Sequence, residues 1–426
     1  MTRMAMATAM ATVMARQVTV KITGRLSTGS LFVTALFVVA TLWIAGLSFR
    51  CSLSWIAASD GALRYTAVDG RLQERLARAQ YFAGARPGSP ELPDSISAGT
   101  VSLAERAFRQ EPFAVDALTL LGIHFAANGD ADRARKIIDA AGGLSKRSML
   151  TSFWLIRGDV GRGDIAEALQ QYDYLLRTEP DLEAPLLTAL VAAVQNGTDR
   201  PRLRALLAKK PPWADQFWSM LAGAPQSLAN GGELRASLLS EYPYDQRRDD
   251  PLLSALVRAG LFAEAEGLYA KIAPLDPSQG GNLLRNGQFK RLPVGAPLDW
   301  QTYATGEFGA KVSPDAGRLA AYSVGDSGGV VARQLVHLTE GSYRLSARLS
   351  EDSAAGDNFL SIHLSCQQAG VLSRANLSWS LRSGENTRVI EIPPGCQYFF
   401  LDIAVGGSAG MKGSAATVTD VSMRKS

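Results

Sequence analysis

The spacing of apolar residues changes twice along the chain and divides it into three kinds of element. Leu31 to Phe49 has no spacing at all: "LFVTALFVVATLWIAGLSF" is nineteen residues without a charge. From Arg71 onward apolar residues recur every three or four positions, as in "RLQERLARAQYFAG", where Leu72, Leu76 and Ala79 fall on one side of a helix. After the breaker cluster "PLDPSQGG", Pro274 to Gly281, they alternate every second position, as Tyr343, Leu345, Ala347 and Leu349 do, which predicts strands.

At 1.5 Å per residue the apolar run extends about 30 Å, the thickness of a bilayer's hydrocarbon core. Trp43 and Arg50 stand toward its far end, where a ring and a cation favour the interface. Arg3, Arg16, Lys21 and Arg25 precede it with no acid among them, which favours an amino terminus left in the cytoplasm. The expectation is one transmembrane helix, in the inner membrane, with the bulk of the chain in the periplasm. The alternative is a cleaved signal peptide. Its apolar region would be shorter, and "SFRCSLSWIAASDGA" offers a small-residue cut near Ala57–Ala58. A lipoprotein reading of Cys51 fails because Phe49 and Arg50 precede it.

The helical stretch repeats. "ALTLLGIHFAANGDADRARKIIDAA" from Ala117 and "TSFWLIRGDVGRGDIAEALQQYDYL" from Thr151 align without gaps, 34 residues apart. Gly129-Asp130 matches Gly163-Asp164 at a turn, Ala134 matches Ala168 where two helices must approach closely, and Ile138 matches Tyr172. Pro112 and Pro180, each ending a second helix, stand 68 residues apart, twice that interval. Later copies are degraded: Gly197, Leu206 and Pro211-Pro212 mark one, and Gly260, Ala265, Tyr269 and Pro274 another. From about Ser97 to Pro274 the pattern resembles the tetratricopeptide repeat. That resemblance implies an α-solenoid whose packing rests on Gly122, Ala134, Gly163, Ala168 and Ala265, and whose surface holds protein partners. Ile156 in the place of Gly122, and Arg202 in the place of a small residue, depart from the pattern.

The terminal stretch reads as an antiparallel β-sandwich. "QLVHLTEGSYRLSARLSE" predicts two strands around a Glu340-Gly341 turn, followed by "NFLSIHLSCQQ", "TRVIEIPP", "CQYFFLDIAVG" and "AATVTDVSMRK". The order of features resembles the jelly-roll carbohydrate-binding modules, also called galactose-binding-like domains. Asn282 to Phe289 stands for their first strand, Trp300 follows a Pro-rich turn, Gln334 to Leu345 forms a hairpin, and Thr419 to Met423 is the last strand. The resemblance implies sugar stacking on exposed rings, for which Trp300, Tyr303, Trp379 and Tyr398 are candidates, with Asn376, Ser378, Ser380 and Arg382 on the strand face opposite Trp379 as hydrogen-bonding side chains. Core burial is the competing reading for each ring. Lys290 occupies a position where that family places a calcium-binding acid, which leaves Asp420 a weak calcium candidate.

The expected order is a cytoplasmic basic segment 1–27, a membrane helix 28–50, a helical segment and linker 51–96, a solenoid 97–276, and a β-sandwich 277–426. Composition adds exclusions. A net charge of +4, with later cations interleaved among acids, points away from nucleic acid. The three His and three Cys make no metal-ligand spacing, so no metal or other cofactor is expected. In an oxidising compartment Cys366 and Cys396, at strand edges of the sandwich, are expected to form a disulfide; the alternative is two buried thiols. "GDSGG" at Gly325–Gly329 resembles a serine-protease nucleophile context, yet it lacks the matching His and Asp and reads as a turn. No paired carboxylates stand out, with Glu307, Glu351 and Asp352 scattered. The expectation is therefore a non-catalytic, membrane-anchored scaffold for cell-surface polysaccharide. The alternatives are a protein-assembly adaptor without glycan binding and, further off, a divergent glycosidase.

Overall fold

The computed structural model describes residue 41 and residues 69–84, 92–274, 281–350, 359–368, 377–407 and 413–426. Apart from Thr41, the predicted membrane segment lies outside these residues, as does Cys51. Among the described residues no helix is long and apolar enough to cross a membrane. The chain forms two compact units, one ending at Leu144 and one running from Ser145 to Ser426.

In the first unit four helices follow one another: α1 (Gly70–Ala83), α2 (Ala98–Gln110), α3 (Val115–Ala127) and α4 (Ala131–Leu144). Side-chain caps start the first two. The Asp69 carboxylate accepts from Arg71 N and Leu72 N, and Ser97 Oγ accepts from Thr100 N. The α3–α4 pair packs through its small residues. A Cβ added at Gly122 would meet Ile138 Cγ1 at 2.6 Å, so only glycine lets α4 lie this close. Ala134 is 4% exposed at the same contact.

The second unit begins with eight helices: α5 (Met149–Arg162), α6 (Ile165–Thr178), α7 (Glu183–Val194), α8 (Arg200–Leu207), α9 (Ala214–Ala222), α10 (Leu228–Ala236), α11 (Gln246–Arg258) and α12 (Phe262–Ile272). The turn glycines of the sequence pattern behave alike in both units: Gly129, Gly163, Gly197 and Gly260 all have φ between 65° and 85°, a region costly for residues with a Cβ. Ala168 and Ala265 are buried where neighbouring helices meet. Between α10 and α11 the fully buried Arg235 guanidinium grips the Asp249 carboxylate at 2.6 and 2.9 Å and donates to the carbonyls of Tyr242 and Pro243. That satisfied pair closes the loop joining the two helices.

Ten strands follow. They are β1 (Gln301–Thr302), β2 (Phe308–Ser313), β3 (Arg318–Ser323), β4 (Gly329–His337), β5 (Gly341–Leu349), β6 (Leu360–Cys366), β7 (Leu377–Ser380), β8 (Gly384–Ile392), β9 (Tyr398–Val405) and β10 (Ser414–Lys425). Two five-stranded antiparallel sheets result, in the orders β1-β4-β9-β6-β7 and β2-β3-β10-β5-β8. Seven of the nine sequential connections change sheet, the wiring of a jelly-roll sandwich. The two-residue alternation does this work: Leu345, Met423, Phe399, Leu401 and Ile362 are fully buried between the sheets.

Two sequence expectations need correction. The stretch around Glu340-Gly341 is not a hairpin, because β4 pairs with β9 and β5 with β8 and β10. The chain instead crosses between sheets, and the Tyr343 hydroxyl braces the corner by donating to the Thr339 carbonyl at 2.8 Å and accepting from Thr339 N at 3.0 Å. Asn282 to Phe289 does not form a strand either. It runs as turns against β10, with Leu283 N donating to the Met423 carbonyl and Val421 N to the Gly287 carbonyl. Asn286 and Phe289 take left-handed backbone conformations that no strand accommodates. "GDSGG" is the turn that carries the chain from β3 to β4.

Candidate functional site

Strand register builds a lateral polar row on the outer face of the first sheet. Gln301 faces Arg333, Arg333 faces Asp402, Asp402 faces His363 and His363 faces Ser378. Residues directly opposite in antiparallel strands share a face, so five strands deliver five polar side chains in one line. At about 4.8 Å per strand the line is roughly 19 Å long.

Hydrogen bonds hold this row in place. Arg333 Nε and Nη2 donate to the two Asp402 carboxylate oxygens at 2.7 and 2.8 Å, and the guanidinium lies 4.4 Å over the Phe400 ring. The hydrogen bonds to Asp402 raise the Arg333 pKa further above its ordinary value. Tyr303 extends the row at the β1 edge, its hydroxyl donating to Gln301 Oε1 at 2.9 Å; partial burial pushes its pKa up. On the other flank Ser361 Oγ and His363 Nε2 share a hydrogen bond of 2.9 Å. The row is charge-compensated and rich in donors and acceptors aimed outward. That chemistry suits hydroxyl groups better than a charged ligand.

The same face does not stay open along its whole length. Beyond the row, Leu335, Tyr398 and Phe400 belong to the hydrophobic cluster of the helices. Phe262 of α12 stacks on Tyr398 at 4.5 Å, and His337 stacks on its other side at 4.6 Å. The Tyr398 hydroxyl donates to Glu266 at 3.0 Å; burial and the nearby Glu266 charge push its pKa up to about 12. A second clasp lies nearby. Gly295 N donates to the Tyr244 hydroxyl, which in turn donates to Asp250 at 2.8 Å, and Arg291 pairs with the buried Asp299 at 3.0 Å. Burial raises the pKa of both Asp250 and Asp299.

The structure scatters the candidate rings. Trp300 is 1% exposed in the sandwich core, packed on Phe289 with its Nε1 donating to the Asn286 carbonyl, so it offers no face to a ligand. Tyr398 lies under α12 and is equally committed. Trp379 faces Ile362, on the inner side of edge strand β7, and packs against the core together with Leu377. Arg382 is exposed at the turn before β8, where its backbone is held by Asn386, away from the row. Of the five, only Tyr303 joins the row. Arg333, Asp402 and His363 were missed. The alternation in "YFFLDIAVG" places Phe400 and Asp402 on one face, but their neighbours on β4 and β6 depend on register between distant segments.

Cys366 and Cys396 are joined in a disulfide, with Cα atoms 6.2 Å apart. Asp420 faces Arg348 across the sheet; burial raises its pKa, while Arg348, Arg424 and Lys290 act against that shift. No group of three potential metal ligands occurs among the described residues. Ser327 of the "GDSGG" turn donates to Glu307 at 2.7 Å.

The sequence matches no protein-family profile and no curated protein. Solved structures similar to 34% of the chain include a CBM4 at 13% identity, matched over 99% of its length with a TM-score of 0.25. TmCBM61 in complex with beta-1,4-galactotriose is matched at 18% identity, over 34% of this chain and 99% of that one, with a TM-score of 0.24. The enzymatically active domain of tailspike protein 4 from bacteriophage CBA120 is matched at 12% identity, over 34% of this chain and 22% of that one, with a TM-score of 0.24. Scores this low carry no weight for ligand or activity. Strand order alone identifies the sandwich.

Proposed function

We propose that the protein is a non-catalytic scaffold of the cell envelope, anchored by the segment 31–49, that binds a neutral glycan with its sandwich and protein partners with tetratricopeptide-like helices. The observation that carries the glycan reading is the outward polar row Gln301, Arg333, Asp402, His363 and Ser378, beside the part of that face (Leu335, Tyr398 and Phe400) that packs on the helices; four of the five are at least partly exposed and Asp402 is buried. A fixed carboxylate–guanidinium pair beside a half-exposed tyrosine ring presents hydrogen-bonding groups and a stacking surface together. The role in making, exporting or anchoring cell-surface polysaccharide draws on the compartment expected from the sequence and on the sequence resemblances of the two regions.

Affinity electrophoresis of the full chain in gels carrying soluble neutral glucans, galactans and mannans tests this. Retardation by one of them is expected, weakened about tenfold by His363→Ala, the equivalent of one hydrogen bond. Trp379→Ala should leave the retardation unchanged, because that ring points inward. A chain that no glycan retards leaves the second reading, a protein-assembly adaptor. That reading draws on a specific observation: the most aromatic part of the outer face is already used to dock α12.

A further inference from the structure

Asparagine followed by glycine is a reactive pair, because glycine has no side chain to keep its own amide nitrogen away from the preceding side-chain carbonyl. The chain holds four such pairs: Asn128-Gly129, Asn196-Gly197, Asn230-Gly231 and Asn286-Gly287. The fold treats them differently.

Three are restrained. Asn286 is 7% exposed; its Nδ2 donates to the Arg291 carbonyl at 2.7 Å and its Oδ1 accepts from Arg291 N at 3.3 Å. Asn230 and Gly231 lie inside α10, where Asn230 Nδ2 donates to the carbonyls of Val194 and Gln195 at 3.1 and 2.8 Å. A Cβ built on Gly231 would meet Leu221 Cδ2 at 2.7 Å, so that backbone has no room to turn. Asn128 is exposed, but its Nδ2 rests 3.2 Å from His124 Nε2, and Gly129 N donates to the Ala126 carbonyl at 3.0 Å.

Asn196 is the least held of the four. It is exposed in the turn that leaves α7, and its side-chain amide has no hydrogen-bond partner among the described residues. Gly197 has a φ of 65°, and its N–H reaches the Val194 carbonyl only at 3.2 Å. A Cβ built on Gly197 comes no nearer than 3.6 Å to any atom beyond its chain neighbours, so the turn has space to rearrange.

We propose that Asn196 is a self-modification site, at which the turn converts its own amide to an acid without an enzyme. The Gly197 backbone nitrogen loses its proton to hydroxide and attacks Asn196 Cγ. The new C–N bond closes a cyclic imide, and the side-chain nitrogen takes up a proton and leaves as ammonia. Water then opens the imide at either carbonyl. One opening gives aspartate at position 196; the other gives isoaspartate, with the backbone rerouted through the side chain. Either product puts a carboxylate at the negative end of the α7 dipole, close to Asp199, and loosens the turn into α8.

Peptide mapping by mass spectrometry, with an isoaspartyl methyltransferase assay alongside, follows the full chain during incubation at mildly alkaline pH and physiological temperature. Acid is expected first at position 196, and at least about tenfold faster there than at Asn230 or Asn286, each of which must give up two hydrogen bonds before it reacts. In the urea-unfolded chain the four pairs are expected to react at similar rates, since the selection comes from the fold. Asn196→Gln keeps an exposed amide but sets its carbonyl one methylene further from the Gly197 nitrogen, which disfavours ring closure. It is expected to remove the early isoaspartate signal with no change in melting temperature. Acid that appears first at another pair overturns the assignment, as does an isoaspartate signal that survives Asn196→Gln at full size. A folded chain in which Asn196 reacts no faster than Asn230 or Asn286 overturns it as well.

Discussion

The outer face of the first sheet is two surfaces on the same strands. One half carries Leu335, Tyr398 and Phe400 and packs on the helices; the other carries Arg333, His363 and Ser361, all partly exposed, around the buried Asp402. Phe400 and Asp402 are two positions apart on β9, and the change from ring to carboxylate coincides with the edge of the helical cover. Apolar area on a sheet face is removed from water by whatever packs on it. Of the rings that the sequence pattern assigned to sugar, Tyr398 is spent on attachment and Trp300 and Trp379 on the sandwich core, while Tyr303 stays with the polar row. For this sandwich, aromatic content is a poor guide to the binding surface and helical cover a better one.

The largest expected effect is on the covered half. Tyr398→Ala removes a ring stacked between Phe262 and His337 and the hydrogen bond to Glu266. Deleting a buried aromatic side chain costs about 3–5 kcal/mol. Calorimetry is expected to show one transition for the second unit in the intact chain and, in the variant, separate helical and sandwich steps. A variant that melts in one step at the original temperature would mean that this contact does not couple the two regions.

The disulfide is next. Cys366 ends β6 opposite Phe399, and the bond ties that strand end to the β8–β9 connection beside the covered half. Replacing both cysteines by serine reopens a loop with a sequence separation of 30 and should cost about 2–4 kcal/mol. Thiol labelling of the denatured, unreduced chain should reach Cys51 alone. Label on all three cysteines would remove the tie.

On the open half a smaller loss is expected. Asp402→Asn keeps the shape but weakens two charge-assisted hydrogen bonds from Arg333, whose side chain is 30% exposed. Solvent access reduces the usual value, and about 1 kcal/mol is the expected destabilisation in urea. A larger loss, comparable to Tyr398→Ala, would mean that the open half is as structural as the covered half.

Legibility followed the range of the signal. Turn glycines, terminal prolines and the small residues Ala134 and Ala168 are local, and the sequence period located all of them. Strand identity in the sandwich was also local, read from two-residue alternation in β5, β6, β8, β9 and β10. Pairing was not, so the turn at Glu340-Gly341 passed for a hairpin although its strands enter different sheets. Asn282 to Phe289 misled for a related reason. Its strand-like composition serves a turn pressed on β10, where a Cβ at Gly287 would lie 2.1 Å from the Val421 carbonyl. The polar row lay deeper still, since Arg333, Asp402 and His363 come together only after three strands find their register.

The smallest effect expected is a pH dependence of the clasp under the covered half. Asp250 and Asp299 sit there with pKa values raised, chiefly because burial disfavours the carboxylate; the Tyr244 hydroxyl and the Arg291 guanidinium oppose the shift without cancelling it. A raised folded-state pKa means that the folded protein binds more protons than the unfolded chain between the ordinary Asp value, about 3.9, and the shifted one. Stability then falls as pH rises through that window, and lowering the pH from neutral restores it. The opposite slope, loss of stability on acidification, belongs to groups whose pKa is lowered, such as Glu241, held down first by the Ser240 hydroxyl and then by Arg204. The intact chain should therefore keep or gain melting temperature from pH 7 toward pH 5. Asp299→Asn keeps one acceptor oxygen, for either the Val294 or the Trp300 amide, while abolishing the titration, so it starts from a lower stability but its melting temperature should change less over the same range. If the two curves run parallel, Asp299 does not titrate between pH 5 and 7, and the clasp is held by packing rather than by its buried carboxylate.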